Sequence, residues 1–140
     1  MFTNTEIWEF ATKWYQFLDV HVPVESFRDL ITEDAEFVFP EATVNGFDGY
    51  AQWYNKVIGI FFDEQHTLKK ADIKSQNGNK ATLDVLVNWQ ASVWNPPNAS
   101  SNRLAMDAVQ TWDVVKKDSQ ILVAKYVVHE MNYEPDTCKL

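Results

Sequence analysis

Cysteine and histidine are scarce in this chain, which has one Cys and three His in 140 residues. Because Cys138 is alone, the chain can form neither an intrachain disulfide nor a zinc site of clustered thiolates. His21, His66 and His129 are too widely spaced for a His-x-x-x-His or His-x-His pair. We therefore predict no metal site and no cofactor, and a lone thiol fits a reducing compartment.

Positive charge is also scarce, because the chain has 12 Lys and Arg but 20 Asp and Glu, which gives a formal net charge of -8. Such an acidic chain opposes the counterion release by which proteins bind nucleic acid, and anionic lipid repels it. No segment approaches the roughly 20 apolar residues of a membrane span, and no basic region precedes an apolar run at the N-terminus. We expect a cytoplasmic protein that binds neither nucleic acid nor membrane.

Apolar side chains are abundant, with 46% hydrophobic and 14% aromatic residues. A chain of this length and composition can bury a core without disulfides or a structural metal. We predict one α+β domain over residues 1–134, with its helices first and its long strands last. Residues 135–140 form a polar C-terminal tail in this interpretation.

Helical patterns occupy the first half of the chain. Thr3 and Glu6 have capping-box spacing, and an apolar face of period three to four follows. That face comprises Ile7, Phe10, Ala11, Trp14, Tyr15 and Leu18. Pro23 suits the first turn of a short second helix, residues 35–39 form a short strand, and Asp48 can cap a third helix. The stripe of this third helix is Tyr50, Trp53, Tyr54, Val57, Ile58 and Phe61.

The second half predicts an antiparallel meander of strands at 66–76, 80–94, 103–116 and 120–133, separated by turn residues. Strands this long must twist and bulge, so the sheet must curve. The first of them is polar enough to be a solvated edge. Strand 80–94 has one dry face and one mixed face, and we expect Asn88 and Gln90 on the mixed face to line a pocket, because a buried amide needs a partner.

This order of elements resembles the nuclear transport factor 2-like superfamily, in particular its SnoaL-like small-molecule branch. The likeness rests on the segments at 32–37, 46–50, 65–67, 78–81 and 120–121. It implies a cystatin-like α+β roll, in which N-terminal helices pack on a strongly curved antiparallel sheet that forms a cone with an internal pocket. It also implies a homodimer through the outer face of the sheet, where we expect Trp89 and Val93.

Two chemistries known in this superfamily do not match the chain. The aspartate base of ketosteroid isomerases precedes a proline, at the position where this chain has Phe39. Their oxyanion-donor tyrosine falls near Trp14 or Tyr15, and only Tyr15 keeps a phenol. Epoxide hydrolases of this fold use an Arg-x-Asp arrangement, but Asp107 lies two positions too far from Arg103.

The hairpin of the last two strands is the predicted catalytic region. If Val115 pairs with Gln120, four polar residues share a face. They are Asp107, Thr111, Tyr126 and Glu130. Burial would raise the pKa of the Asp107 carboxyl and suit it to acid or base catalysis, although carboxylates near strand ends more commonly meet water. A register shifted by one residue would instead bring Asp107 opposite His129.

Aromatic residues are the predicted walls for a small apolar or aromatic molecule, although such stripes also form plain cores. The candidate binding residues are Trp14, Tyr50, Trp53, Tyr54, Asn88, Gln90, Thr111, Trp112, Tyr126 and Glu130, beside Asp107, Tyr15 and His129 as catalytic candidates. The favoured hypothesis is a cofactor-independent acid–base enzyme. The alternatives are a non-catalytic binding module and a dimeric protein-interaction subunit.

Overall fold

The computed structural model describes all residues from Met1 to Leu140. Two α-helices, one 3-10 helix and six strands follow one another along the chain. They are α1 (Asn4–Asp19), the 3-10 helix (Val24–Leu30), β1 (Ile31–Val38), β2 (Thr43–Asn45), α2 (Gly46–Val57), β3 (Phe61–Asn77), β4 (Lys80–Val93), β5 (Asn102–Lys117) and β6 (Gln120–Tyr133). None of the helices is long and apolar enough to cross a membrane.

Helix α1 begins with the predicted capping box. The Thr3 hydroxyl accepts from the Glu6 backbone N–H at 3.2 Å, and the Glu6 carboxylate accepts from the Thr3 backbone N–H at 2.9 Å. Two of the N–H groups that every helix start leaves unpaired are thereby satisfied. The predicted apolar face is buried along the whole helix, which ends at Asp19.

Helix α2 begins earlier than the sequence pattern predicted. Its cap position is Asn45, and Asp48 lies within its first turn. Gly46 makes the start possible, because its φ is 68° and a Cβ there would lie 3.2 Å from the Glu33 carbonyl oxygen. The sequence patterns predicted no strand before it, but this segment pairs with β1 as the short strand β2.

The six strands form one open sheet in the order β2-β1-β6-β5-β4-β3. The antiparallel meander from β3 to β6 is confirmed, and so is β3 as an edge strand. The sheet is nevertheless mixed, because β1 runs parallel to β6. Register shifts in β3 and along the β5–β6 pair mark the irregularities that let such long strands bend.

The inner face of the sheet packs against the helices through aromatic rings. Trp14 lies at the centre, with its ring centroid 4.8 Å from that of Phe27, 5.5 Å from Tyr50 and 5.9 Å from Trp112. The dry face of β4, with Leu83 and Val85, belongs to the same core. The fold class is thus as predicted, and the rings that face inward pack against one another at the centre of the fold.

Replacing Trp14 with Ala should lower the free energy of unfolding by about 3 to 5 kcal/mol, because it empties the centre of this core. Trp8 is the matched control on the same helix, since its side chain is 43% exposed, and its replacement by Ala should cost about 0.5 kcal/mol or less. Urea denaturation followed by circular dichroism measures both. Equal losses for the two variants would contradict the central role of Trp14.

Candidate functional site

The register of the last hairpin differs from both predicted registers. Lys117 pairs with Gln120 across a two-residue turn, Asp118 and Ser119, whose φ values are 51° and 66°. Going away from the turn along β5, register shifts after Val114 and after Gln110 each move the partner one residue further along β6. As a result, Asp107 pairs with Asn132. The prediction was wrong because the turn is tighter than assumed and because neither shift has a sequence signal.

The corrected register separates the four residues that were predicted to share a face. Tyr126 pairs with Trp112 and is buried in the aromatic core. Thr111 pairs instead with the half-buried Val127, and Glu130 is exposed. Thr111 accordingly belongs to the outer face of the sheet, where His129 reaches it with Nε2 2.7 Å from the hydroxyl. His129 therefore pairs with Thr111 and makes no dyad with Asp107.

Asp107 is an ion-paired residue on the outer face. Asn88 Nδ2 donates to one carboxylate oxygen at 3.0 Å, and Lys69 Nζ donates to the other at 3.0 Å. These contacts, that of Asn88 above all, lower the pKa of the Asp107 carboxyl, which is opposite to the shift expected from burial. Gln90 in turn donates to the Asn88 side-chain oxygen at 3.2 Å. The mixed face of β4 is thus the outer face, and the dry face turns inward.

Tyr15 lies fully inside the core. Its hydroxyl is 3.1 Å from both Gln110 Oε1 and the Tyr126 hydroxyl, and the Trp112 indole N–H also donates to Gln110, at 2.8 Å. Desolvation raises the pKa of the Tyr15 phenol well above its usual value and that of Tyr126 to about 12. Both phenols are therefore neutral at physiological pH, and Tyr15 has its hydrogen bonds occupied within the protein.

The other predicted aromatic walls are mostly core. Trp14, Tyr50, Tyr54 and Trp112 are buried, and the Tyr54 hydroxyl donates to the Val22 carbonyl at 2.6 Å. Trp53 is half-buried, stacks on Phe39 at 3.8 Å between centroids and donates to Glu41.

Two depressions of about 350 and 360 Å³ lie outside this core, one around Lys80 and Asp113 and the other around Trp8 and Asp72.

Two histidine–carboxylate pairs lie where the end of α1 meets the start of β3. His66 Nδ1 is 2.6 Å from Asp19 Oδ1, and the His66 backbone N–H donates to the same carboxylate at 3.0 and 3.1 Å. His21 Nε2 pairs with Glu64, which also accepts the Trp89 indole N–H at 3.0 Å. Asp19 and His66 are 47 residues apart in sequence, so the pair depends on packing between distant segments.

The His66 ring is held in one orientation. It stacks on Tyr15 at 4.8 Å and 19°, and on Trp89 at 5.9 Å and 15°. An ionised carboxylate can only accept, so Asp19 keeps the proton on Nδ1 and leaves Nε2 as the acceptor. Nε2 makes no hydrogen bond within the protein, and the His66 side chain is 8% exposed. This is the arrangement of a general base oriented by a carboxylate.

The position of Trp89 corrects the expected interaction surface. Trp89 and Val93 pack beside Phe61, Ala91 and Leu104, and Trp89 shares His66's side of the sheet. Trp89 and Val93 are therefore not on the outer face of the sheet.

No three His, Cys, Asp or Glu side chains are grouped in a way that could hold a metal ion.

A weak sequence signal for the paired site existed. Glu64 and His66 are two apart and so project from the same face of β3, although the predicted strand began only at His66. Asp19 and His21 come shortly after Leu18, the last residue of the predicted apolar face of α1. Nothing in the sequence aligns these two segments, because the chain between them contains four other elements, namely the 3-10 helix, β1, β2 and α2.

Comparison with known proteins gives one family and many structural neighbours. The family profile of the SnoaL-like domain matches residues 3–127. No curated protein matches the chain. Among solved structures, a hexachlorocyclohexane dehydrochlorinase of type 3 from Novosphingobium barchaimii has a TM-score of 0.75 at 14% identity, covering 96% of this chain and 91% of its own.

Two further neighbours have the same fold. A candidate scytalone dehydratase from Novosphingobium aromaticivorans has a TM-score of 0.66 at 19% identity, with 96% of this chain and 93% of that chain covered. A nuclear transport factor 2-like superfamily protein from Salmonella enterica has a TM-score of 0.71 at 17% identity, with 89% and 88% covered. At these identities the likeness establishes the fold alone.

Tyr50 offers a test of the packing beside the site, because its buried hydroxyl has no hydrogen-bond partner. Replacing Tyr50 with Phe should leave the free energy of unfolding unchanged or raise it, since an unpaired buried hydroxyl costs about 1 to 3 kcal/mol. Replacing Tyr15 with Phe, which removes two made hydrogen bonds, should lower it by about 1 to 3 kcal/mol. Chemical denaturation compares the two variants, and a larger loss for Y50F would contradict this account.

Proposed function

This chain belongs to the SnoaL-like domain family, and we propose that it is a cofactor-independent acid–base enzyme acting on a small apolar or aromatic molecule. His66 is the base that removes a proton from carbon, and Asp19 positions it. The observation that carries the proposal is the Asp19–His66 pair, whose free Nε2 has no partner in the protein. Such a dyad needs no metal, because the base and its orienting carboxylate both come from the chain.

The surroundings of the dyad support an apolar substrate. Tyr15 and Trp89 cover the two faces of the His66 ring, and Phe61 packs edge-on against Trp89 at 5.0 Å. Such aromatic surroundings make the environment of Nε2 apolar and favour an apolar ligand there over a charged one. The net charge of -8 disfavours anionic substrates in the same region.

The neighbours favour elimination among acid–base reactions. One is named as a dehydrochlorinase and another as a candidate dehydratase. Loss of hydrogen chloride and loss of water both remove a proton from one carbon and a leaving group from the next. A single well-placed base of the His66 type serves either reaction.

The proposal predicts that the protein exchanges the α-protons of propiophenone with deuterium from D2O, which proton NMR measures directly. Replacing His66 with Gln should slow this exchange by about 10²- to 10⁴-fold, the usual contribution of a general base. Replacing Asp19 with Asn should cause a smaller loss, because the base remains but loses its orientation.

Asp107→Asn tests the competing outer-face site in the same assay. Loss of exchange in D107N with retention in H66Q would move the base to the outer face. Absence of exchange above the buffer rate with the wild-type protein would contradict the proposed function itself. The thermal midpoint of each variant checks that the fold is intact.

We also propose that two copies of the chain pair through the outer face of the sheet. Three half-buried aliphatic residues support this surface, namely Leu86, its cross-strand partner Val109, and Val127 on β6. They lie between polar residues, as in the centre of a protein interface with a polar rim. The Asp107–Lys69 ion pair lies at the side of this patch.

A homodimer predicts a mass near twice 16.2 kDa that falls with dilution, measured by light scattering or sedimentation. Val109→Asp should yield a monomer, because it would bury an unpaired charge at the interface. Val20→Asp is the control for the same change of charge, since Val20 is exposed in the turn after α1. A wild-type protein that remains monomeric at high concentration would contradict the dimer.

A further inference from the structure

We propose that His21 and Glu64 form a second, proton-donating pair of the same site, and that the substrate is a β-hydroxy ketone or a related carbonyl compound that loses water. The inference rests on the proposed role of His66 as the base. Neither His21 nor Glu64 has any role in the sequence-based candidates. The two residues contribute what a dehydration needs beyond a base, namely an acid for the departing hydroxyl.

The two pairs have a reciprocal arrangement. The end of α1 supplies a carboxylate, Asp19, and two residues later an imidazole, His21. The facing strand β3 supplies a carboxylate, Glu64, and two residues later an imidazole, His66. Each imidazole therefore bonds to the carboxylate of the opposite element. Residues two apart on a strand project from the same face, which places the two pairs side by side.

Trp89 links the two pairs. Its ring stacks on His66, and its indole N–H donates to Glu64 at 3.0 Å. One aromatic side chain thus contacts the proposed base and the carboxylate of the proposed acid. A substrate placed beside Trp89 would therefore lie near the His66 ring and near the Glu64 carboxylate that holds His21.

The charge and burial of the second pair suit a proton donor. The Glu64 side chain is only 9% exposed, and a carboxylate in such surroundings needs a cation or several donors. The indole N–H is one donor, and the His21 ring is the other partner of this carboxylate. The His21 side chain is 26% exposed, and its Nδ1 has no partner in the protein. With Nε2 bonded to Glu64, Nδ1 is the ring nitrogen that can face a ligand.

The backbone of His21 supports a dedicated position for this ring. Its φ is 53°, in the left-handed region that residues with a Cβ seldom adopt. Such conformations cost free energy and persist where surrounding contacts hold them, often at functional sites. Here the contact with Glu64 fixes the ring immediately after α1 ends.

The reaction balances with these groups alone. His66 Nε2 takes the proton from the carbon next to the carbonyl, and that C–H electron pair becomes the new C=C bond. The C–O bond to the β-hydroxyl breaks, and its oxygen takes the Nδ1 proton of His21 and leaves as water. The products are an enone and water, with His66 protonated and His21 neutral. Proton exchange through solvent restores both rings.

The leaving group distinguishes water from chloride. Chloride is a stable anion and departs without a proton, whereas hydroxide is a poor leaving group and must be protonated as it departs. A site that performs only dehydrochlorination needs the base alone. A second imidazole held beside the base is therefore explained by a hydroxyl leaving group.

The test compares two probes, β-hydroxypropiophenone and β-chloropropiophenone, with spontaneous elimination subtracted. His21→Asn is the variant of choice, because Asn tolerates the left-handed backbone that His21 adopts. It should lower the ratio of dehydration rate to dehydrochlorination rate by about 10²-fold or more, the usual contribution of a general acid. Glu64→Gln should lower the same ratio in the same direction. His66→Gln should slow both eliminations together.

Two results would overturn the inference. Equal slowing of both eliminations by H21N would mean that the pair only clamps α1 to β3, and an unchanged ratio at full rate would mean that it has no role. Neither result can be confused with failure of the proposed function. In that case the wild-type protein itself would not exchange deuterium into propiophenone. Thermal midpoints of the variants identify any loss of fold.

Discussion

The burial of one aromatic face of α1 against a curved sheet is the interaction on which the rest of this structure depends. Trp14 contacts rings from the 3-10 helix, β1, α2, β5 and β6, so removing it would loosen every layer. Large rings pack well only where facing surfaces are complementary. The position and direction of α1 over the sheet are therefore fixed along its whole length.

That fixed helix determines where polar chemistry can occur. At its start, the capping box and the Glu6–Lys116 ion pair face solvent. At its end, Asp19 and His21 reach the edge strand β3, where the aromatic core gives way to partly exposed side chains. A carboxylate and an imidazole at such a boundary are dry enough to interact strongly and open enough to meet a ligand.

The two faces of the sheet have opposite electrostatic characters. The inner face is apolar, with Tyr15, Gln110 and Tyr126 forming a closed group of hydrogen bonds. The outer face carries ion pairs and amides around Asp107. The assignment of the mixed face of β4 to a pocket failed for a simple reason: helices whose own stripe is apolar require the dry face of the sheet.

The sequence by itself determined most of the elements, though not all their ends, because capping residues, apolar periods and turn residues act over a few positions. The capping box of α1, its buried stripe, the antiparallel order from β3 to β6 and the SnoaL-like family followed from such local patterns. Register, the choice of inward face and the partner of His66 were decided only by the tertiary structure. Each depends on bulges, or on packing between segments far apart in sequence, such as Asp19 and His66, and no local pattern encodes that geometry.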